Sequence, residues 1–409
     1  PSEDRPLRSM SQHQKIVVVG ASLAGLRSVQ FIRRAKFEGE LVLIGDEAEL
    51  PYDRPPLSKE ILRGEWEEDR IALRRKSYDD LKVELMLGRR AEGLHTDARE
   101  VRLAGGETVA YDGMLIATGG RARKLPYQPA LQGIFTLRTL EDARAIRAAL
   151  DAKPRVAIIG AGFIGAEVAA SARQLGLDVT MVEALATPLA RTFGPELGAI
   201  LQRVHERRGV KVVCGRTVER FEGTDRVTGL TLDDGTTLDA DVVVVGIGMT
   251  PSVSWLEGSG VALDDGVRCD ETLGTSAPGV VAAGDVANWH NPLFGERMRV
   301  EHWTNAVEQA RHAVATLLAA PGEAKPFSSV PMFWSDQFDI KIQGVGRPRP
   351  SDDLTLIGPT PDGKLLGLYA RAGRLVGAVA FNQPPKLIQL RMLIAKGGSL
   401  ADALEIAEA

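Results

Sequence analysis

Two stretches of the chain repeat one succession of apolar and small residues. KIVVVGASLAGLRSVQFIRRA at 15–35 and RVAIIGAGFIGAEVAASARQL at 155–175 each open with a β-branched run, cross a turn of small residues and continue with apolar positions at helical spacing. Each predicts strand, tight turn and helix. A second apolar run follows each helix and ends in acid, ELVLIGDE at 40–47 and LDVTMVE at 177–183. YDGMLIATGG at 111–120 and DVVVVGIGMTPS at 241–252 read as strand ends where the chain passes between units. TSAPGVVAAGDVAN at 275–288 is a strand whose end carries Gly284 and Asp285; the acid either faces a polyol or caps a helix beginning near Glu301. From about residue 326 the pattern turns to alternation in KIQGVG, LTLIG, LLGLYA and RLVGAVAF, with Asp362-Gly363 and Ala372-Gly373 at hairpin turns, then to helices from 386.

A chain of 409 residues exceeds the roughly 250–300 at which one core stops growing, so two or three domains are expected. The 50 basic and 54 acidic side chains leave a formal net charge of −4, with no basic excess to neutralise a nucleic-acid backbone. Apolar runs such as VVVV at 242–245 are strand-sized, far short of the roughly 20 residues of a membrane span. PSEDRPLRSM lacks the apolar stretch of a signal peptide, and residues 1–13 read as an extension. Cys214 and Cys269 form no CxxC pair and no cysteine–histidine cluster, so redox dithiols, zinc knuckles and iron–sulfur ligation are not encoded. Both read as buried small hydrophobes in a reducing, cytoplasmic setting.

The repeated unit carries its own chemistry. A first Gly permits the sharp turn, a second lets the backbone approach a pyrophosphate, and a third lets helix and strand pack closely. The helix N-terminus then offers N–H groups and partial positive charge to phosphates. Gly160-Ala161-Gly162-Phe163-Ile164-Gly165 is complete, whereas Gly20-Ala21-Ser22-Leu23-Ala24-Gly25 has Ser22 in the middle, adding a Cβ and a hydroxyl where the pyrophosphate comes closest. Asp46, Glu47 and Glu183 follow their turns at the offset where a carboxylate meets a ribose diol. Two copies in register predict an α/β chain with two Rossmann-like dinucleotide-binding domains plus a small α+β C-terminal domain.

PYDRPPLSK at 51–59, ATGGRARKLP at 117–126, LRTLEDA at 137–143, GFIGAE at 162–167, AAGDVAN at 282–288, EHWTNAVEQA at 301–310 and FWSDQFDIKIQGVG at 333–346 are jointly specific. With them the chain resembles the oxygenase-coupled, NADH-dependent ferredoxin reductases, FAD flavoproteins of the putidaredoxin reductase and biphenyl dioxygenase ferredoxin reductase type, from about residue 14 onward. The resemblance implies a discontinuous FAD-binding domain at 14–119 and 245–325, an inserted NADH-binding domain at 120–244, and a C-terminal domain at 326–409 at the flavin and partner interface. It implies FAD contacts from Gly20, Ser22, Leu23, Ala24, Gly25, Asp46 or Glu47, Arg54, Ala91, Ala117, Thr118, Gly119, Arg138, Gly284 and Asp285. Lys59 and Trp303 would lie against the flavin ring. NADH would be held by Gly160, Gly162, Phe163, Ile164, Gly165, Glu183, Arg191, Gly246, Ile247 and Gly248, with Glu167 at the nicotinamide; Lys59, Glu167 and Trp303 would be the catalytic residues. No metal is implied.

In thiol-dependent relatives a cysteine passes electrons onward, but the comparable place in PPLSK is Lys59. The resemblance therefore implies hydride transfer from nicotinamide to flavin and single-electron transfer to an external two-iron, two-sulfur ferredoxin, which feeds a cytochrome P450 or Rieske oxygenase. Glu183 favours a free ribose diol over a 2′-phosphate, with no cation in Ala184-Leu185-Ala186, so NADH is expected over NADPH. Residues 331–409 carry 9 basic and 8 acidic side chains against a net −5 elsewhere, and Arg311, Lys341, Arg347 and Arg349 are the candidate docking patch, with Trp334 over the flavin edge or in a core. Two other readings stay open: a rubredoxin reductase or NADH oxidase of the same fold, and a redox-sensing interaction protein like apoptosis-inducing factor.

Overall fold

The two repeated stretches become the centres of two separate parallel sheets in a computed structural model that describes residues 13–359 and 363–408. The extension up to residue 12 and Asp362 lie outside those residues. The chain divides into two units: one takes residues up to Asp53, Ala72–Gly120 and Pro251–Pro331, the other Arg54–Ile71, Arg121–Thr250 and Met332–Ala409.

In the first unit, Lys15–Val19 is flanked by Gly113–Ile116 and Glu40–Ile44, with Val280–Ala282 and Glu84–Met86 outside them. Parallel strands covered on both faces need continuous apolar runs, and Ile16, Val17 and Val18 are fully buried, each contributing about 1.5–3 kcal/mol. Lys15 pairs with Glu40 and Val19 with Ile44, so Gly20 and Gly45 leave the sheet side by side at its carboxyl end. The helices Leu23–Arg34 and Trp303–Leu318 pack together. The second of these has His302 at its N-cap position.

In the second unit, Arg155–Ile159 lies between Asp178–Glu183 and Val242–Val245, with Lys211–Cys214 and Ile134–Thr136 at the edges. Helix Leu140–Leu150 is started by a capping box in which the Thr139 hydroxyl accepts from the Asp142 N–H and the Asp142 carboxylate accepts from the Thr139 N–H. The same unit holds the antiparallel sheet Met332–Gln337, Ile340–Gly346, Arg374–Phe381, Leu365–Arg371 and Asp353–Ile357, followed by helices Pro384–Ala395 and Leu400–Glu408. Ala372 (φ 50°) and Gly373 (φ 75°) make the expected tight hairpin turn. Cys269 is buried as expected, but Cys214, on an edge strand, is only half-buried.

Candidate functional site

The first Gly-rich turn is built by close approach. Gly20 has φ 116°, and a Cβ there would stand 2.2 Å from the Ala117 carbonyl oxygen; one on Gly25 would stand 1.8 Å from the Gly20 oxygen. Ser22 takes the N-cap position in extended backbone, and the N–H groups of Leu23, Ala24 and Gly25 precede the first intrahelical bond, from Leu26 N to Ser22 O. Gly284 (φ 81°) comes against this helix start, where a Cβ would meet that of Ala24 at 3.0 Å. Its N–H donates to Gln309 Oε1 at 2.9 Å. Asp285, half-buried, follows directly, and its carbonyl accepts from Arg299. Nearby chain crossings are tied by Thr118 Oγ1 donating to Ser252 O (2.8 Å) and Ser252 N to Gly119 O (3.0 Å), beyond the buried Ala117. Trp303 opens its helix and donates Nε1–H to Asp53 Oδ1 at 2.8 Å. Ala91 is half-buried beside a bulge. Of the two acids, Asp46 is exposed and ion-paired with Arg90 at 3.0 Å, while Glu47 accepts from the Tyr52 hydroxyl.

The second turn repeats this geometry with its middle Gly present. Gly160 has φ 96°, with a Cβ position 2.5 Å from Gly246 O; that of Gly165 is 2.0 Å from Gly160 O. At Gly162, the N-cap of helix Phe163–Gln174, a Cβ would find its nearest atom 4.0 Å away, so space stands open where a phosphate would enter. Glu183 reaches back to the turn: Oε2 accepts from Ala161 N (2.7 Å) and Oε1 from Leu185 N (2.9 Å), leaving lone pairs on both oxygens. Phe163 packs on Phe193 and Phe333, whereas Ile164 stays 45% exposed at the helix start, an apolar face available to a ligand. Gly246, Ile247 and Gly248 follow Val242–Val245, with Gly246 N donating to Ile159 O. Arg191 is exposed on the short helix Ala190–Phe193.

Also in the second unit, helix Phe163–Gln174 carries Glu167 into a buried ion pair, its Oε2 3.0 Å from Lys59 Nζ. Segment 54–71, which brings Lys59, belongs to this unit, where Arg54 also donates to the Arg138 carbonyl at 2.7 Å. The pattern of the sequence missed four residues around this pair. Ser58 donates to Glu167 Oε2, Ser335 to Oε1, and Gln337 links Ser335 to His205. A signal for two of them exists in the alternation of Met332–Gln337, where Phe333, Ser335 and Gln337 face inward and two of those three are polar. Trp334 is on the opposite, half-buried side and is not a core tryptophan.

Of the candidate docking residues, Arg311 belongs to the first unit and Lys341, Arg347 and Arg349 to the second. Lys341, ion-paired with Asp336 at 2.9 Å, lies near the start of strand Ile340–Gly346 and Arg347 just past its end, roughly 20 Å apart by strand rise. Arg349 follows, its N–H on Asp352.

Burial and nearby carboxylates push the Cys214 thiol up to about 11 and the Cys269 thiol up to about 12. Both are therefore protonated near neutral pH, where the thiolate is the reactive form. Alkylating reagent at neutral pH is expected to leave reduction of an electron acceptor unchanged; a proportional loss of turnover with modified thiol would refute this.

Two family models cover the chain: one described as pyridine nucleotide-disulphide oxidoreductase matches residues 14–310, and one described as reductase C-terminal matches 332–408. The chain is 39% identical over 390 residues to the ferredoxin reductase subunit of a 5,5'-dehydrodivanillate O-demethylase from Sphingobium sp., covering 94% of each. It is 34% identical over 393 residues to putidaredoxin reductase of Pseudomonas putida, covering 94% of this chain and 92% of that one. Among solved structures, that of the covalent putidaredoxin reductase–putidaredoxin complex matches with a TM-score of 0.90 at 32% identity, over 97% of this chain and 98% of the other.

Proposed function

We propose a function from one premise: the chain belongs to the pyridine nucleotide-disulphide oxidoreductase family, among its FAD-dependent ferredoxin reductases. It is an NADH:ferredoxin oxidoreductase whose acceptor is a two-iron, two-sulfur ferredoxin serving a P450 or Rieske-type oxygenase. When bound, FAD takes up a hydride from NADH and releases electrons singly.

The chain's own residues bind, orient and polarise. The first Gly-rich turn, with Gly284 and Asp285 against it, is assigned to FAD, and its close-packed backbone fits a pyrophosphate. Ala117, Thr118, Gly119, Ala91, Arg54, Arg138, Trp303 and Asp46 or Glu47 keep the FAD roles given by resemblance. The second turn, with Glu183, Ile164, Arg191 and Gly246 to Gly248, is assigned to NADH. Glu167 serves the nicotinamide and Lys59 supplies positive charge at the flavin. The discontinuous domain assignment and a cytoplasmic setting are part of this proposal. Among the described residues no helix is long and apolar enough to cross a membrane.

The observation that carries an external acceptor is the state of the two thiols, both unpaired and held protonated. Purified protein is expected to be yellow, to bleach anaerobically with NADH much faster than with NADPH, and to reoxidise faster with ferredoxin than with oxygen. A protein that takes up no FAD, or one reoxidised faster by oxygen, would defeat the proposal.

Cofactor choice rests on Glu183. Glu183→Ala is expected to raise the NADH dissociation constant about tenfold or more, because charge-assisted hydrogen bonds to the ribose and the anchor on Ala161 N are lost together. FAD content should stay at the wild-type level. Unchanged NADH affinity would remove Glu183 from the site.

A further inference from the structure

We propose that Ser335, Gln337 and His205 are positioning residues that fix the carboxylate of Glu167, and through it the ammonium of Lys59, for hydride transfer. The inference rests on the function proposed above.

Glu167 receives three donors. Ser58 Oγ (2.5 Å) and Lys59 Nζ (3.0 Å) both reach Oε2, while Ser335 Oγ alone, at 2.7 Å, reaches Oε1. Behind Ser335 the chain continues through Gln337 Nε2 at 3.1 Å, and Gln337 Oε1 faces His205 Nε2 at 2.9 Å. Ser335, Gln337 and His205 are fully buried.

The direction of every bond follows from the chemistry. A carboxylate has no proton to give, so Ser335 donates to Oε1 and keeps a lone pair for the Gln337 amide N–H. The amide carbonyl then needs a donor, and His205 must present Nε2–H. Burial lowers the pKa of His205, so its ring is neutral and Nδ1 is an acceptor; Nδ1 has no protein partner. The ring packs edge-on against Phe338 at 5.3 Å, a place that a phenyl ring would fill without an orphaned nitrogen. What histidine adds over phenylalanine is the donated proton at the head of the chain. Polar Ser335 and Gln337 on the inward face of their strand follow the same logic.

Without Ser335, Glu167 would keep two donors on one oxygen and none on the other. The torsion about the carboxylate is soft, so the group would turn toward Ser58 and Lys59 and carry the ammonium with it. Arg63 reaches Ser171, one turn along the same helix, and Asp336 is paired outward with Lys341, so neither replaces the lost donor. The consequence is misorientation, which acts on the rate of hydride transfer and spares NADH binding.

The test uses the FAD-loaded protein with Ser335→Ala, Ser335→Thr and His205→Phe. In Ser335→Ala the limiting rate of flavin reduction by NADH should fall roughly tenfold with the NADH dissociation constant unchanged, and Ser335→Thr should restore it. The carboxylate stretch of Glu167, isolated in infrared spectra by difference against Glu167→Gln, should shift in Ser335→Ala, shift less in His205→Phe, and return in Ser335→Thr. A wild-type rate with an unmoved band in Ser335→Ala would overturn the proposal. So would a loss that threonine does not rescue, which is what a packing role produces. The infrared measurement needs no NADH, so an unmoved band condemns the positioning chain alone. A chain that takes up no FAD condemns the proposed function and leaves the infrared band to decide this inference.

Discussion

Replacing Lys59 with methionine is expected to slow flavin reduction by NADH about a hundredfold, the scale on which one positioned electrostatic donor acts. It should also destabilise the fold by about 3–5 kcal/mol, because it removes one partner of a buried ion pair and leaves the other charge uncompensated. The pair is 3.0 Å apart with side chains 7% and 4% exposed, so solvent does little to screen the loss. Stability and rate separate in the double variant. Lys59→Met with Glu167→Gln removes both charges and keeps a hydrogen-bonding group for Ser58 and Ser335, so thermal stability should largely return. The rate should not, since the positive charge is still missing. Thermal melts and anaerobic stopped-flow reduction of the three proteins decide it. A double variant that regains the rate would reduce Lys59 to a structural role, and a single variant with unchanged rate would remove it from the chemistry.

That pair also marks how far the sequence is legible. The Gly-rich turns are readable because their requirement is local: Gly20, Gly25, Gly160 and Gly165 each sit within a few residues of the atoms that exclude a side chain. The Thr139–Asp142 capping box is readable on the same ground. The partners of Glu167 are not, because Ser58 is 109 residues away and Ser335 168 residues away, and only the assembled unit brings them to one carboxylate. Segment 54–71 follows the first Gly-rich unit along the chain yet packs in the second unit, a long-range outcome that residue patterning does not carry. Cys214 illustrates the opposite error. Its apolar neighbours in KVVC suggest a core, but Lys211–Cys214 pairs on one side only and leaves the thiol half-buried. The basic residues chosen for docking show a further limit: composition counts them together, while register sets Lys341 near the start of strand Ile340–Gly346 and Arg347 just past its end.

The two Gly-rich turns are expected to answer to separate substitutions. Gly25→Ala should yield protein that purifies without FAD, and Gly165→Ala should yield yellow protein that NADH no longer bleaches, although a chemical reductant still does. In each case the added Cβ meets a backbone oxygen, at 1.8 Å from Gly20 O in the first and 2.0 Å from Gly160 O in the second, and a carbonyl in a tight turn has little room to yield. Leu43 Cδ1 and Ile158 Cγ2, each 3.3 Å from the new carbon, close the alternative direction. The helix must therefore back away from its strand, and a displacement near 1 Å at a site that depends on aligned N–H groups costs about a hundredfold in function. Overpacking adds about 1–3 kcal/mol to the loss. Since each turn is built inside its own unit, neither lesion should cross to the other cofactor. Gly165→Ala protein that lost its flavin, or Gly25→Ala protein that kept it and failed with NADH, would reverse the assignment of the two turns. Wild-type behaviour in both would mean that helix and strand have slack at these contacts, and close packing of helix on strand could then not explain why glycine stands at either position.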